Sequence, residues 1–150
     1  MKLAEALSLR ADLQKRVIQL KLRLKNSAKV QEGDEPAENV EELFKELNET
    51  LVQLEELIYR INDTNMHTVC DGENLTRLMA RKDTLSMRVA LLRELLKHVS
   101  ENDTRYGRSE LKSIRTINVS ELQKETDNYA RQLRELDVKI QGLNWTIDLR

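Results

Sequence analysis

The chain has 150 residues, 34% of them charged and 3% aromatic, with four glycines and one proline. This length suits one domain over residues 1–150, and scarce Gly and Pro beside abundant Leu, Glu, Lys and Arg excludes a sheet-rich fold. A formal net charge of −1 leaves no global field for nucleic acid or an anionic membrane. The lone Cys70 excludes an intrachain disulfide and suits a reducing compartment.

Apolar residues recur at alternating spacings of three and four in four stretches. That 3.5-residue period makes a seam along a helix that a neighbouring helix must cover. The first predicted helix runs from about Lys2 to Ser27, with Leu3, Ala6, Arg10, Leu13, Val17, Leu20 and Leu24 on its seam. Leu7, Leu9, Ile18 and Leu22 widen the apolar face beyond that of a two-stranded coiled coil, which fits a bundle position. Gly33-Asp34-Glu35-Pro36 breaks the pattern.

The second predicted helix starts at Ala37 or Val40 and runs to about Asn65, on the seam Val40, Phe44, Leu47, Leu51, Leu54, Ile58, Ile61. The connection from Met66 to Asn74 holds the tight-turn dipeptide Asp71-Gly72, flanked by Thr68, Val69 and Cys70. A third helix starts at Leu75 or Thr76 and fails near Glu101 to Asp103, with Leu78, Lys82, Leu85, Val89, Leu92, Leu96 and Val99 on its seam. Beyond it, Leu111 to Ile117 is rich in β-branched residues and is predicted to be extended. Pairing with Thr68 to Cys70 would give a small β ribbon from the 66–75 and 105–117 connections.

The fourth helix starts at Asn118 as N-cap, with Glu121 three residues later. Its seam is Leu122, Thr126, Tyr129, Leu133, Leu136, Ile140, Leu143 and Ile147. Each helix is roughly 40 Å long at 1.5 Å per residue. Short connections between such helices predict an all-α, antiparallel up-down-up-down bundle of four.

Glu5, Arg10 and Asp12 interrupt the apolar residues of the N-terminus, so no signal peptide is read there. No apolar run of about 18 residues exists, and a cytoplasmic protein is expected. The Asn-X-Ser/Thr triplets at Asn48, Asn62, Asn74, Asn102, Asn118 and Asn144 are read as caps and solvated polar positions.

Two cations, Arg10 and Lys82, stand at seam positions. Counting levels along an antiparallel bundle places Arg10, Glu55, Lys82, Asp83 and Asp137 in one charged layer. A buried cation needs partners, so the layer reads as an ion-pair network that fixes register. The sharper alternative is a pocket holding an anion between Arg10 and Lys82. A second candidate is the basic connection with Arg105, Arg108, Lys112 and Arg115, an anion or partner site on a loop. The competing reading is a solvated loop whose arginines pair with carboxylates such as Asp34 and Glu35.

Chemistry-bearing patterns are absent. Neither His67 nor His98 has a Glu three residues earlier, as a di-metal bundle site needs. His67-X-X-Cys70 lacks the second ligand pair of a zinc site, and no third group orients Cys70 as a nucleophile. There is no Gly-rich phosphate loop and no Gly-X-Ser-X-Gly. No catalytic residue, cofactor or metal is assigned, and a non-enzyme is expected.

The segments MKLAEAL, RADLQKR, VQEGDEPAE, INDTN, the Asp71-Gly72 turn before LTRLMARKD, RYGRSELK, and NVSELQKETD with RELD and NWT span nearly the whole chain. Together they resemble septicolysin-like proteins, a group of bacterial helical proteins named for an oxygen-independent haemolysin. The resemblance implies a bacterial protein of four-helix layout and carries no catalytic residue onto this chain. It also implies a lytic activity, which would require an exposed amphipathic element or a pore-forming oligomer. The expected function is association without catalysis, as a homo-oligomer or with a partner protein. The alternatives are a membrane-active haemolysin and a binder of a small anion or ligand.

Overall fold

A computed structural model describes residues 1–101 and 113–150. They form four helices, α1 (Leu3–Ser27), α2 (Val40–His67), α3 (Leu75–Ser100) and α4 (Val119–Thr146). The remaining element is an antiparallel ribbon of β1 (Val69–Cys70) and β2 (Glu73–Asn74). This is the all-α architecture of four long helices that the apolar period predicts. The chain divides into two compact units, Met1–Leu75 with Gln141–Arg150, and Thr76–Ile140.

In the first unit α1 and α2 form an antiparallel pair. Arg16 reaches Glu46 while Arg23, further along α1, reaches back to Glu38. The α1 seam is buried at Leu3, Ala6, Leu13, Leu20 and Leu24, with Arg10 and Val17 half-buried. Leu20, Leu24 and Leu43 form the apolar centre of the pair, flanked by Val40 and Leu47. Asn39 caps α2: its Oδ1 accepts from the amides of Glu41 and Glu42. Those two carboxylates also sit favourably at the positive end of the helix dipole.

On α2 the seam is rotated from the predicted one. Leu43, Thr50, Leu57, Ile61 and Thr64 are buried, whereas Phe44, Leu51 and Ile58 stay on the surface. The sequence offers adjacent apolar pairs at 43/44 and 57/58, so two phases one residue apart were open. The threonines break the true phase only on paper. Thr50 Oγ1 donates to the Glu46 carbonyl at 2.8 Å and Thr64 Oγ1 to the Arg60 carbonyl at 2.7 Å. Each hydroxyl donates inside its own helix, so the residue can sit on the buried face without an unmet donor.

The predicted ribbon forms in the 66–75 connection, with a partner strand from that same connection. Val69 pairs with Asn74 and Cys70 with Glu73 across a two-residue turn. Asp71 (φ 53°) and Gly72 (φ 83°) both take left-handed backbone, the condition for a type I′ turn whose twist suits a hairpin. Val69 and Cys70 thus find a partner within the same connection, and residues 105–112 of the expected partner lie outside the described residues. Residues 113–117 carry no strand.

The chain ends close the first unit. The Leu3 amide donates to the Ile147 carbonyl and the Leu149 amide to the Met1 carbonyl, both at 2.9 Å. Lys2 Nζ donates to the Thr146 carbonyl at 3.0 Å and pairs with Asp148 at 2.9 Å. The Arg150 amide donates to Thr64 Oγ1 at 3.0 Å, and Arg60 Nε donates to the Arg150 carbonyl at 2.6 Å. One short stretch therefore ties the start of α1 to the end of α2.

In the second unit Asn118 Oδ1 accepts from the Glu121 amide at 3.1 Å, starting α4 where predicted. Lys82 pairs with Asp137 and the Arg88 guanidinium lies 4.7 Å from the Tyr129 ring centre. As one residue number rises the other falls, so α3 and α4 are antiparallel. The predicted seams hold on both: Leu78 and Val89 are buried on α3, and Leu122, Thr126 and Ile140 on α4.

Candidate functional site

The rotation of α2 leaves an apolar line on its surface. Phe44, Leu51 and Ile58 recur every seven residues, and Val52, Tyr59 and Met66 form a second line beside them. Phe44 is 51% and Tyr59 67% exposed. On α1, Ile18 and Leu22 are likewise exposed on the side away from Leu20 and Leu24. Residues at such spacing share one helix face.

Charge on these two helices is opposite. α1 carries six basic residues against two acidic, and α2 seven acidic against two basic. Part of this is used within the pair, where Arg16 and Arg23 meet Glu46 and Glu38. The hydrogen bond from Arg23, followed by its charge, holds the Glu38 carboxyl below its usual range. Lys21 and Lys25 on α1, and Glu41, Glu49, Glu55 and Glu56 on α2, make no ion pair with a described residue.

The residues of the predicted charged layer fall in both units. Lys82 and Asp137 meet at 2.5 Å in the second unit, with Asp137 Oδ1 buried. Asp83 is exposed there. In the first unit Arg10 is half-buried on the α1 seam and Glu55 is exposed. Glu55 and Asp83 each lie one residue past a half-buried seam position, and the 100° step per residue turns them to solvent. The second unit holds the Lys82–Asp137 pair, and the first a half-buried Arg10. Of the basic connection, Arg105, Arg108 and Lys112 lie outside the described residues, and Arg115 is exposed.

The second unit holds a cleft the sequence reading missed. Arg93 of α3 faces a stripe of α4 made by Lys124, Asp127, Asn128, Ala130, Arg131 and Arg134 around a volume of about 600 Å³. The Lys82–Asp137 and Arg88–Tyr129 contacts set the register that brings Arg93 opposite the first turns of α4. Lys124, Asn128 and Arg131 follow one another at i, i+4 and i+7. The spacing was legible, but attention to the apolar seam passes over the opposite face.

His67 and Cys70 do not combine. His67 Nδ1 lies 2.8 Å from the Asp63 carbonyl and 3.0 Å from its Oδ1, while Asp63 Oδ2 meets Arg150 Nε at 3.0 Å. This histidine closes the end of α2. Among the described residues no group of three or more His, Cys, Asp or Glu is placed to hold a metal ion. No helix among them is long and apolar enough to cross a membrane.

These features define a helical protein with exposed amphipathic faces and a basic cleft. Residues 10–149 match a family of unknown function (DUF6847), and the chain belongs to that family. It is similar to a functionally unknown conserved protein from Corynebacterium diphtheriae, known from a crystal structure, at 40% identity and a TM-score of 0.92. That similarity covers 100% of this chain and 99% of the bacterial one. A comparison with curated proteins finds no match.

Proposed function

We propose that this protein is a non-enzymatic, cytoplasmic bundle protein that works through self-association, with a second copy covering the α1·α2 surface. The observation that carries the reading is the line Phe44, Leu51, Ile58, exposed at heptad spacing beside Val52 and Tyr59. A surface of this kind on a charged helix is a protein contact site in waiting. The occupant is argued from charge. The cations Lys21 and Lys25 of α1 and the carboxylates Glu41, Glu49 and Glu55 of α2 complement one another across a two-fold axis, α1 of one copy lying on α2 of the other. Sedimentation equilibrium tests this. The wild type should be a dimer at about 50 µM, near the middle of the range for transient protein pairs, and Leu51→Glu should be a monomer with unchanged helical circular dichroism. A monomeric wild type, or a variant that remains dimeric, overturns the proposal.

The resemblance to septicolysin-like proteins and the exposed faces of α1 and α2 favour one second reading, a membrane-active protein. Here the apolar lines would lie in the lipid interface instead of against a second copy. Dye release from anionic and neutral liposomes across pH 5 to 8 separates the two. Release at low protein-to-lipid ratio supports lysis, and intact vesicles beside folded protein remove it.

A further inference from the structure

We infer that the cleft between Arg93 and the Lys124–Arg134 stripe of α4 is a binding site for a linear polyphosphate. Four of its seven lining residues are cationic, Arg93, Lys124, Arg131 and Arg134, against one carboxylate, Asp127. The chain as a whole has a net charge of −1, so this concentration of cations is local. Arg93, Lys124 and Arg134 make no ion pair with a described residue. Arg131 Nη2 donates to Asn128 Oδ1 at 2.8 Å, an uncharged partner that orients the guanidinium without cancelling its charge. Asp127 Oδ1 accepts from Gln123 Nε2 at 2.8 Å, which draws the one carboxylate toward its own helix.

The arrangement also selects the ligand. The ten residue steps from Lys124 to Arg134 span roughly 15 Å along α4, so the cations form a line and not a single point. A lone phosphate would meet one or two of them, whereas a chain of phosphates meets all. Guanidinium groups suit phosphate because each can give two parallel hydrogen bonds. Among the described residues Ala130 is the sole apolar one lining the cleft, and none of them brings an aromatic ring to it. No described residue there would stack a nucleobase, as strand-binding and nucleotide-binding surfaces do. The ligand class is therefore a bare phosphate chain.

Isothermal titration with tripolyphosphate tests the site, independently of the α1·α2 surface. Arg131→Gln with Arg134→Gln should weaken binding by about tenfold or more, as expected for the loss of two charge-assisted contacts. Arg93→Gln should weaken it severalfold, and Lys29→Gln, an exposed cation of the first unit, should leave it unchanged. Orthophosphate should bind at least about tenfold more weakly than tripolyphosphate. All four substituted cations are exposed, so circular dichroism should show every variant folded. No binding at about 5 mM tripolyphosphate, weaker than the range of specific ligands, overturns the assignment. So does equal loss in Lys29→Gln, or binding to phosphatidic acid vesicles without binding to tripolyphosphate.

Discussion

Replacing Leu43 or Leu51 with alanine separates the two faces of α2 by their cost in stability. The sequence period puts Leu51 on the seam and leaves Leu43 off it, whereas Leu43 is 3% and Leu51 41% exposed. At Leu43 the change removes a transfer free energy of about 2 kcal/mol and leaves a cavity against Leu20 and Leu24. The total should be about 3 kcal/mol, inside the range for buried leucines. At Leu51 roughly 0.6 of the side chain is covered and the vacated space opens to water, so the cost should be about 1 kcal/mol. For a chain of this length these losses lower Tm by about 6–12 °C and 2–4 °C. Thermal denaturation followed at 222 nm in dilute solution measures both. Equal losses, or a larger one at Leu51, would refute the rotated seam. If the second copy covers this surface, the Leu51→Ala loss should also grow with protein concentration, because association stabilises the folded state by mass action.

Other perturbations read other parts of the structure. Arg10→Leu should raise stability by about 1 kcal/mol in urea denaturation, because the half-buried guanidinium makes no ion pair with a described residue; a loss would restore a structural role for the charge. Gly72→Ala should cost about 1 kcal/mol through backbone strain alone, since φ is +83° and nothing lies within 4 Å of the added methyl; no change in Tm would refute the turn geometry. Asn39→Ala should cost about 1 kcal/mol by removing the cap of α2, with reduced protection of the Glu41 and Glu42 amides in hydrogen exchange as the local signature. The Lys2 hydrogen bond, then its charge, holds the Asp148 carboxyl below its ordinary value. A depressed acid contributes stability above its unfolded pKa and loses that contribution as pH falls through the folded value. Asp148→Asn should therefore lower Tm at pH 7, and the difference from wild type should shrink as pH falls below about 4 and vanish below the depressed folded value; a gap that persists unchanged at low pH would count against the ion pair.

Helix number, helix limits and three of the four seams were legible in the sequence because they rest on local signals. Asn39 and Asn118 start their helices through their own side chains, and Asp71-Gly72 makes its turn through two left-handed residues. Periodicity fixes which side of a helix is apolar, and on α1 that side is the one buried. On α2 the apolar surface is wider than any one neighbour covers, so only the fit against α1 chose between phases. Arg16 and Arg23 reach Glu46 in that fit, and Thr50 and Thr64 donate their hydroxyl protons within the helix. Lys82 found Asp137 as expected, while Glu55 and Asp83 turned outward. A charge one residue off a seam has a freely solvated option that outweighs a buried pair. The cleft was decided by tertiary structure, since Arg93 and Arg131 lie on different helices and meet only in the register set by Arg88 on Tyr129. Local chemistry thus determines where helices form and which sides are apolar. Long-range packing decides which of those sides is buried, because burial is a property of what lies opposite.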